Sequence, residues 1–156
     1  MIGIMNIKNY TSSVPVESSI SRIESKLAAA GASGIMKMYG PDKKVSSLVF
    51  RFDVGGRSFS FRVPANSENC FQAMWKQHCL SHKRARPETK NTIREQAHRT
   101  AWKLVQDWVD IQISMIVMQQ AEFMEVFLPY AWDGKQTYFE AMRSNEYKAL
   151  PPCSTD

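Results

Sequence analysis

The chain has 156 residues, 44% of them apolar, and a formal net charge of +5. That length fits a single domain, and that apolar content supports a packed core, which excludes a disordered tail. Three sparse cysteines, an odd number, argue against a disulfide scaffold and for a reducing compartment.

No apolar run is long enough to cross a bilayer, so no membrane partner is expected. The start, Met1-Ile2-Gly3-Ile4-Met5, lacks the basic n-region and small-residue cleavage site of a signal peptide. A cytoplasmic location follows as the expectation. Charge is distributed unevenly. Met1 to Trp75 carries a net +4, Lys76 to Lys103 a net +6, and Leu104 to Asp156 a net −5. One surface suited to polyanions and one that is not are therefore expected.

In chain order, residues 1–12 read as a lead-in. Ser12 or Ser13 is placed to cap a helix with Pro15 in its first turn. Val16, Ile20, Ile23, Leu27 and Ala30 form its apolar stripe, and Gly31 stops it. A short strand, Ile35 to Tyr39, and a turn at Gly40-Pro41-Asp42-Lys43 precede a long strand from Val45 to Val54. Gly55-Gly56 then signals a two-residue hairpin into Arg57–Val63, because the primed turns need positive φ. That turn sets Val54 opposite Arg57, Phe52 opposite Phe59, Phe50 opposite Phe61 and Leu48 opposite Val63. One sheet face is then core. The other carries Val49, Arg51, Asp53, Ser58, Ser60 and Arg62.

Asn66 or Ser67 begins a second helix with Phe71, Met74, Trp75 and His78 as its stripe. The helix–three strands–helix core spans 13–80, and a basic connection covers 81–87. From 88 to 128 there is neither Gly nor Pro, and apolar residues recur at helical spacing from Ile93 through Trp108 to Met118. This predicts one long helix, or two joined near Ser114. Pro87 suits a first helical turn, and Glu88 suits the positive end of the dipole. Residues 129–156 read as a turn, a short helix from Thr137 to about Met142, and a loose tail. The predicted fold class is α+β: a three-stranded antiparallel meander packed with an N-terminal helix and a long C-terminal helical layer.

The chemistry-bearing candidates are mostly basic. Lys83, Arg84, Arg86, Lys90, Arg94, His98, Arg99 and Lys103 gather at one connection and one helix start. Lys90, Arg94 and His98 share a face, and Arg99 and Lys103 form the neighbouring row. Cations arranged so track phosphates, each neutralised phosphate releasing a counterion. A merely solvated helix face explains the same pattern. Arg51 and Arg62 on the polar sheet face extend the track, with Lys43 and Lys44 on the preceding turn. The sheet's Phe residues point to the core, so it offers no stacking platform for bases.

Cys70, His78, Cys79, His82 and His98 lack the paired spacing of a zinc site, and no metal or other cofactor is expected. Asp107, Asp110 and Glu122 are the only acidic set a nuclease reading has to offer, and a solvated helix face explains them better. No nucleophile elbow, phosphate-binding glycine loop or zincin motif occurs, so catalysis is not the leading expectation. Met115, Met118, Met124, Phe123, Phe127 and Leu128 make the end of the long helix apolar nearly all round. Burial against the sheet explains this; a self-association surface for a homodimer is the alternative.

The order helix–strand–strand–strand–helix, with Gly40-Pro41 in the first loop, resembles a double-stranded RNA-binding domain. That family needs lysines at the start of its second helix. Here the start reads Asn66-Ser-Glu-Asn-Cys70-Phe71, so no RNA-binding residue is carried over. A broader resemblance rests on Ile20-Ser-Arg-Ile-Glu24 with Gly31-Ala32, Phe61-Arg-Val-Pro-Ala65, Arg86-Pro-Glu-Thr89, Arg94-Glu-Gln-Ala97, Thr100-Ala-Trp102-Lys103, Asp107-Trp108 and Val126-Phe-Leu-Pro-Tyr-Ala-Trp132. These are similar to a family of small uncharacterised proteins of phages, prophages and other mobile elements. The resemblance implies a bacterial host cell and supplies no activity or site residues. The function expected from these readings is non-enzymatic nucleic-acid binding, DNA or RNA, through phosphate contacts. The alternative is a protein-binding inhibitor or adaptor, such as a phage anti-defence (anti-CRISPR) protein, using the same basic surface on a host protein or ribonucleoprotein.

Overall fold

The computed structural model describes residues 7–81 and 86–153. Ile20, Ile23 and Leu27 recur at helical spacing and are buried along α1, Val16–Ala29. Pro15 is the N-cap rather than a first-turn residue, and no side chain caps this end. Gly31, at φ 109, ends the helix. Its N–H bonds the Ala28 carbonyl at 3.1 Å and the Ala32 N–H bonds Leu27 at 2.9 Å, the paired bonds of a Schellman stop.

Three strands follow: β1 Gly34–Tyr39, β2 Val45–Val54 and β3 Arg57–Pro64, antiparallel in the order β1-β2-β3. The two-residue turn has Gly55 at φ 58 and Gly56 at φ 77, both left-handed, as a type I′ hairpin requires. The β2–β3 register pairs Val54 with Arg57, Phe52 with Phe59, Phe50 with Phe61 and Leu48 with Val63, as the turn demands. The other sheet face is less polar than expected. Ser47 and Val49 are buried there, and the Arg62 Nε donates to Ser47 Oγ at 3.2 Å.

The core face of the hairpin is covered from the far end of the chain. Phe123 lies 4.4 Å from Phe52 and 5.3 Å from Phe61, ring centre to ring centre, and Phe127 lies 5.6 Å from Phe50. The same core takes Ala101, Trp102, Val109 and Ile113 from α3 (Pro87–Val117). Helix α2, Ser67–Ser81, packs separately on the start of α3, where Phe71 and Met74 close on Ala97.

The long helix does not reach 128. It ends at Val117, and α4 covers Phe123–Phe127, followed by a 3₁₀ turn over Leu128–Tyr130. The cause is a second Schellman stop. Gln119 sits at φ 58, its N–H bonds the Ile116 carbonyl at 3.0 Å, and the Gln120 N–H bonds Met115 at 2.8 Å. The Glu125 carboxylate then accepts from the Glu122 N–H at 3.1 Å and starts α4. The break therefore falls just after Val117, not near Ser114. Beyond it, the Trp132 N–H bonds the Ser60 carbonyl at 2.8 Å along the outer edge of β3. Helix α5, Tyr138–Ser144, is capped by Thr137, whose hydroxyl accepts from the Glu140 N–H at 3.2 Å.

Candidate functional site

The site begins with Trp102. Its indole is fully buried, and its Nε1 donates to the Val45 carbonyl at 3.2 Å. That bond ties the start of β2 to α3 one helical turn after His98. The β1–β2 turn is therefore held against the helix, not left free in solvent. The turn is itself well made: Gly40 N–H to the Lys44 carbonyl and Lys43 N–H to the Gly40 carbonyl are both 2.9 Å, and the Asp42 carboxylate accepts from the Lys44 N–H at 3.0 Å. Lys43 takes a left-handed φ of 61. Both Lys43 and Lys44 are exposed, and neither has an ion-pair partner among the described residues.

The other wall is the segment before α1. The Thr100 hydroxyl donates to the Asn9 carbonyl at 2.9 Å, and the Gln96 Nε2 donates to the Ser12 carbonyl, also at 2.9 Å. The Arg99 Nη2 donates to Gln96 Oε1 at 2.6 Å, which fixes the guanidinium beside Ser12. Asp107 closes this seam. Its carboxylate takes Asn9 Nδ2 at 2.8 Å, Lys103 Nζ at 2.7 Å and Lys8 Nζ at 3.3 Å. Burial alone would raise the Asp107 carboxyl. The hydrogen bonds from Asn9, Lys103 and Lys8 outweigh it and hold the group at about 2.

Between these walls lies a groove of about 760 Å³ lined by Tyr39, Lys43, Lys44, His98 and Arg99 together with Glu17 and Glu95. A second groove of about 470 Å³ holds Arg62, Arg94 and Ser67, with Asp42 and Glu68. Lys44, Val45 and His98 line both, so the two grooves adjoin. His98 sits at the junction with its Nδ1 2.7 Å from Ser67 Oγ. Burial lowers its pKa, the Lys44 ammonium adds to the effect, and Asp42 and Glu17 oppose it. The ring is neutral at pH 7 on this account.

The ten sequence candidates are thus divided. Lys83 and Arg84 lie outside the described residues. Arg86 is exposed at the N-cap of α3. The Lys90–Arg94–His98 row faces α2: Lys90 lies over the Trp75 ring at 5.5 Å, and Arg94 lies over Phe71 at 3.8 Å while pairing with Glu68 at 2.5 Å. The Arg99–Lys103 row faces the lead-in segment, and Lys103 is spent on Asp107. Arg62, Arg94, His98 and Arg99 come together around Lys44, whereas Arg51 is exposed on β2 outside both grooves. Residue 39 carried no signal in the sequence except its place beside the Lys43-Lys44 pair.

Asp107 and Asp110 are each engaged by other residues. Asp107 holds the lead-in segment, and Asp110 pairs with Lys26 at 3.5 Å. Among the described residues no three His, Cys, Asp or Glu side chains gather closely enough to hold a metal ion. None of the described helices is long and apolar enough to cross a membrane. No family model, curated protein or solved structure matches the chain.

Proposed function

We propose that this protein binds nucleic acid through its phosphates, without catalysing a reaction, in the DNA or RNA transactions of a phage or mobile element in a bacterial cytoplasm. One observation carries the reading. Lys43 and Lys44, free of ion pairs among the described residues, line one groove with His98 and Arg99, and Lys44 and His98 also line the adjoining groove that holds Arg62. A polyanion laid there meets Lys43, Lys44 and Arg99, while the backbone turn and α3 keep them in place. The test is fluorescence anisotropy with labelled DNA and RNA over a salt series. Log affinity should fall with log salt at a slope of roughly −3 for about four phosphates on a single strand. The Lys43→Glu/Lys44→Glu double variant should abolish binding with its circular dichroism unchanged. Undiminished binding would remove the groove from consideration.

A second reading is favoured by the carboxylates. Glu17, Glu95, Asp42 and Glu68 interleave with the cations, a mixed pattern better matched to a protein than to a bare polyanion. In that case the chain is an inhibitor or adaptor, such as an anti-CRISPR protein, that covers a host protein or ribonucleoprotein. Tight co-purification with one protein, together with no affinity for naked nucleic acid, would select it. For self-association the supporting feature is the end of α3, where Val117 and Met118 are 70% and 69% exposed; a monomer in sedimentation at micromolar concentration would dismiss a homodimer there.

A further inference from the structure

The larger groove contains one group that phosphate binding does not need. Tyr39 ends β1, is 64% exposed, and lines the groove beside Lys43 and Lys44. Among the described residues no ring stacks on it and no hydrogen bond holds its side chain. Its direction is set by the backbone. The β1–β2 register runs regularly from Gly34↔Arg51 to Met38↔Ser47 and then shifts, so that Tyr39 faces Val45 and Ser46 is left as the extra residue. The Ser46 hydroxyl bonds back to the Met38 carbonyl at 3.2 Å. The extra residue lies on β2, so β1 keeps its alternation and Tyr39 falls on the same side as Lys37, which lines the groove too. Lys37 is tied to Glu24 of α1 at 3.2 Å.

An exposed aromatic face beside a row of cations is the combination that holds single strands, in which every unpaired base offers a ring to stack on. Bases in a duplex are stacked on one another, and presenting one to Tyr39 requires flipping it out. We infer that the groove takes single-stranded nucleic acid, one base stacking on Tyr39 and the adjoining phosphates lying on Lys43 and Lys44. This rests on the phosphate-binding reading above and goes further by choosing the strand state.

The test compares labelled oligothymidylate with a blunt duplex of equal length, using the full chain and the Tyr39→Ala, Tyr39→Phe and Lys44→Ala variants. The single strand should bind more tightly than the duplex. Tyr39→Ala should weaken single-strand binding about five- to a hundredfold, the range for one base on one ring, and Tyr39→Phe should retain it. Neither Tyr39 variant should change duplex affinity. Single-strand affinity unchanged in Tyr39→Ala, with both ligands weakened in Lys44→Ala, would overturn the stacking inference and leave phosphate binding standing. Absence of binding to either ligand would overturn both.

Discussion

Replacing Trp102 by Phe isolates the bond on which the groove depends. The ring stays apolar and buried, but the donor to the Val45 carbonyl is lost. The Val45 carbonyl is part-buried, so leaving it without its partner falls in the lower part of the usual range, about 1–2 kcal/mol. The smaller ring adds a partial cavity at a site with no solvent exposure, on the order of another 1 kcal/mol. The expected loss is therefore about 2–3 kcal/mol, against ~3–5 for Trp102→Ala. With a urea m-value of about 2 kcal/mol/M, Trp102→Phe should lower the unfolding midpoint by roughly 1–1.5 M. Circular dichroism suits the measurement better than fluorescence, because Trp75, Trp108 and Trp132 remain. A shift below ~0.3 M, with an unchanged m-value, would refute the claim that the indole fastens β2 to α3.

Three further perturbations test other parts of the scaffold. Asp107 is held at about 2, below the ordinary aspartate value near 3.9, so its stabilisation is complete above about pH 4 and is lost as the pH falls through 2. Acid titration of the wild type should show this loss, and Asp107→Asn, already without the charge, should be less stable at pH 7 and flat across the same window. Gln119→Gly should raise stability by about 0.5–1 kcal/mol, since the left-handed stop after α3 strains any residue with a Cβ; urea midpoints would report it. Arg94→Ala should lower Tm by about 2–4 °C, because the guanidinium over Phe71 holds α2 to α3, and Arg94→Lys should recover only part of that.

The sequence revealed most where one residue type had no alternative. Gly55-Gly56 set a primed turn and with it every cross-strand pair of the hairpin. Gly31 marked the end of α1 for the same reason. The end of α3 uses the same Schellman geometry with Gln119 in the left-handed position, and glutamine carries no such signal. Only Glu122 and Glu125, spaced as a reciprocal cap, hinted that a new helix begins there. The buried face of α3 departs from the apolar stripe that runs from Ile93 through Trp108 to Met118. It runs through Ala97, Thr100, Ala101, Trp102, Gln106, Val109 and Ile113, and Ile111 is 55% exposed. This helix is packed on several sides at once, so its buried face includes Thr100 and Gln106, which an apolar stripe omits.

The candidate site was legible in its residue types and not in its grouping. Lys90, Arg94 and His98 do share a row, as spacing requires, but the row abuts α2, and Arg94 and Lys90 lie over aromatic rings there. Arg99 and Lys103 share the next row and hold the lead-in segment. What joins the remaining cations is the β1–β2 turn, more than fifty residues away in sequence and placed by the Trp102–Val45 bond. Helical spacing carries no information about such a contact.

The most direct measurement is a ¹H–¹⁵N spectrum of the labelled protein titrated with a short single-stranded oligonucleotide at low salt. The account predicts that the amides of Tyr39, Lys43, Lys44, His98 and Arg99 shift together and saturably, while Arg51 and the α3 end near Met118 stay still. Shifts confined to Arg51 or to the α3 end, or no shifts at all, would contradict it.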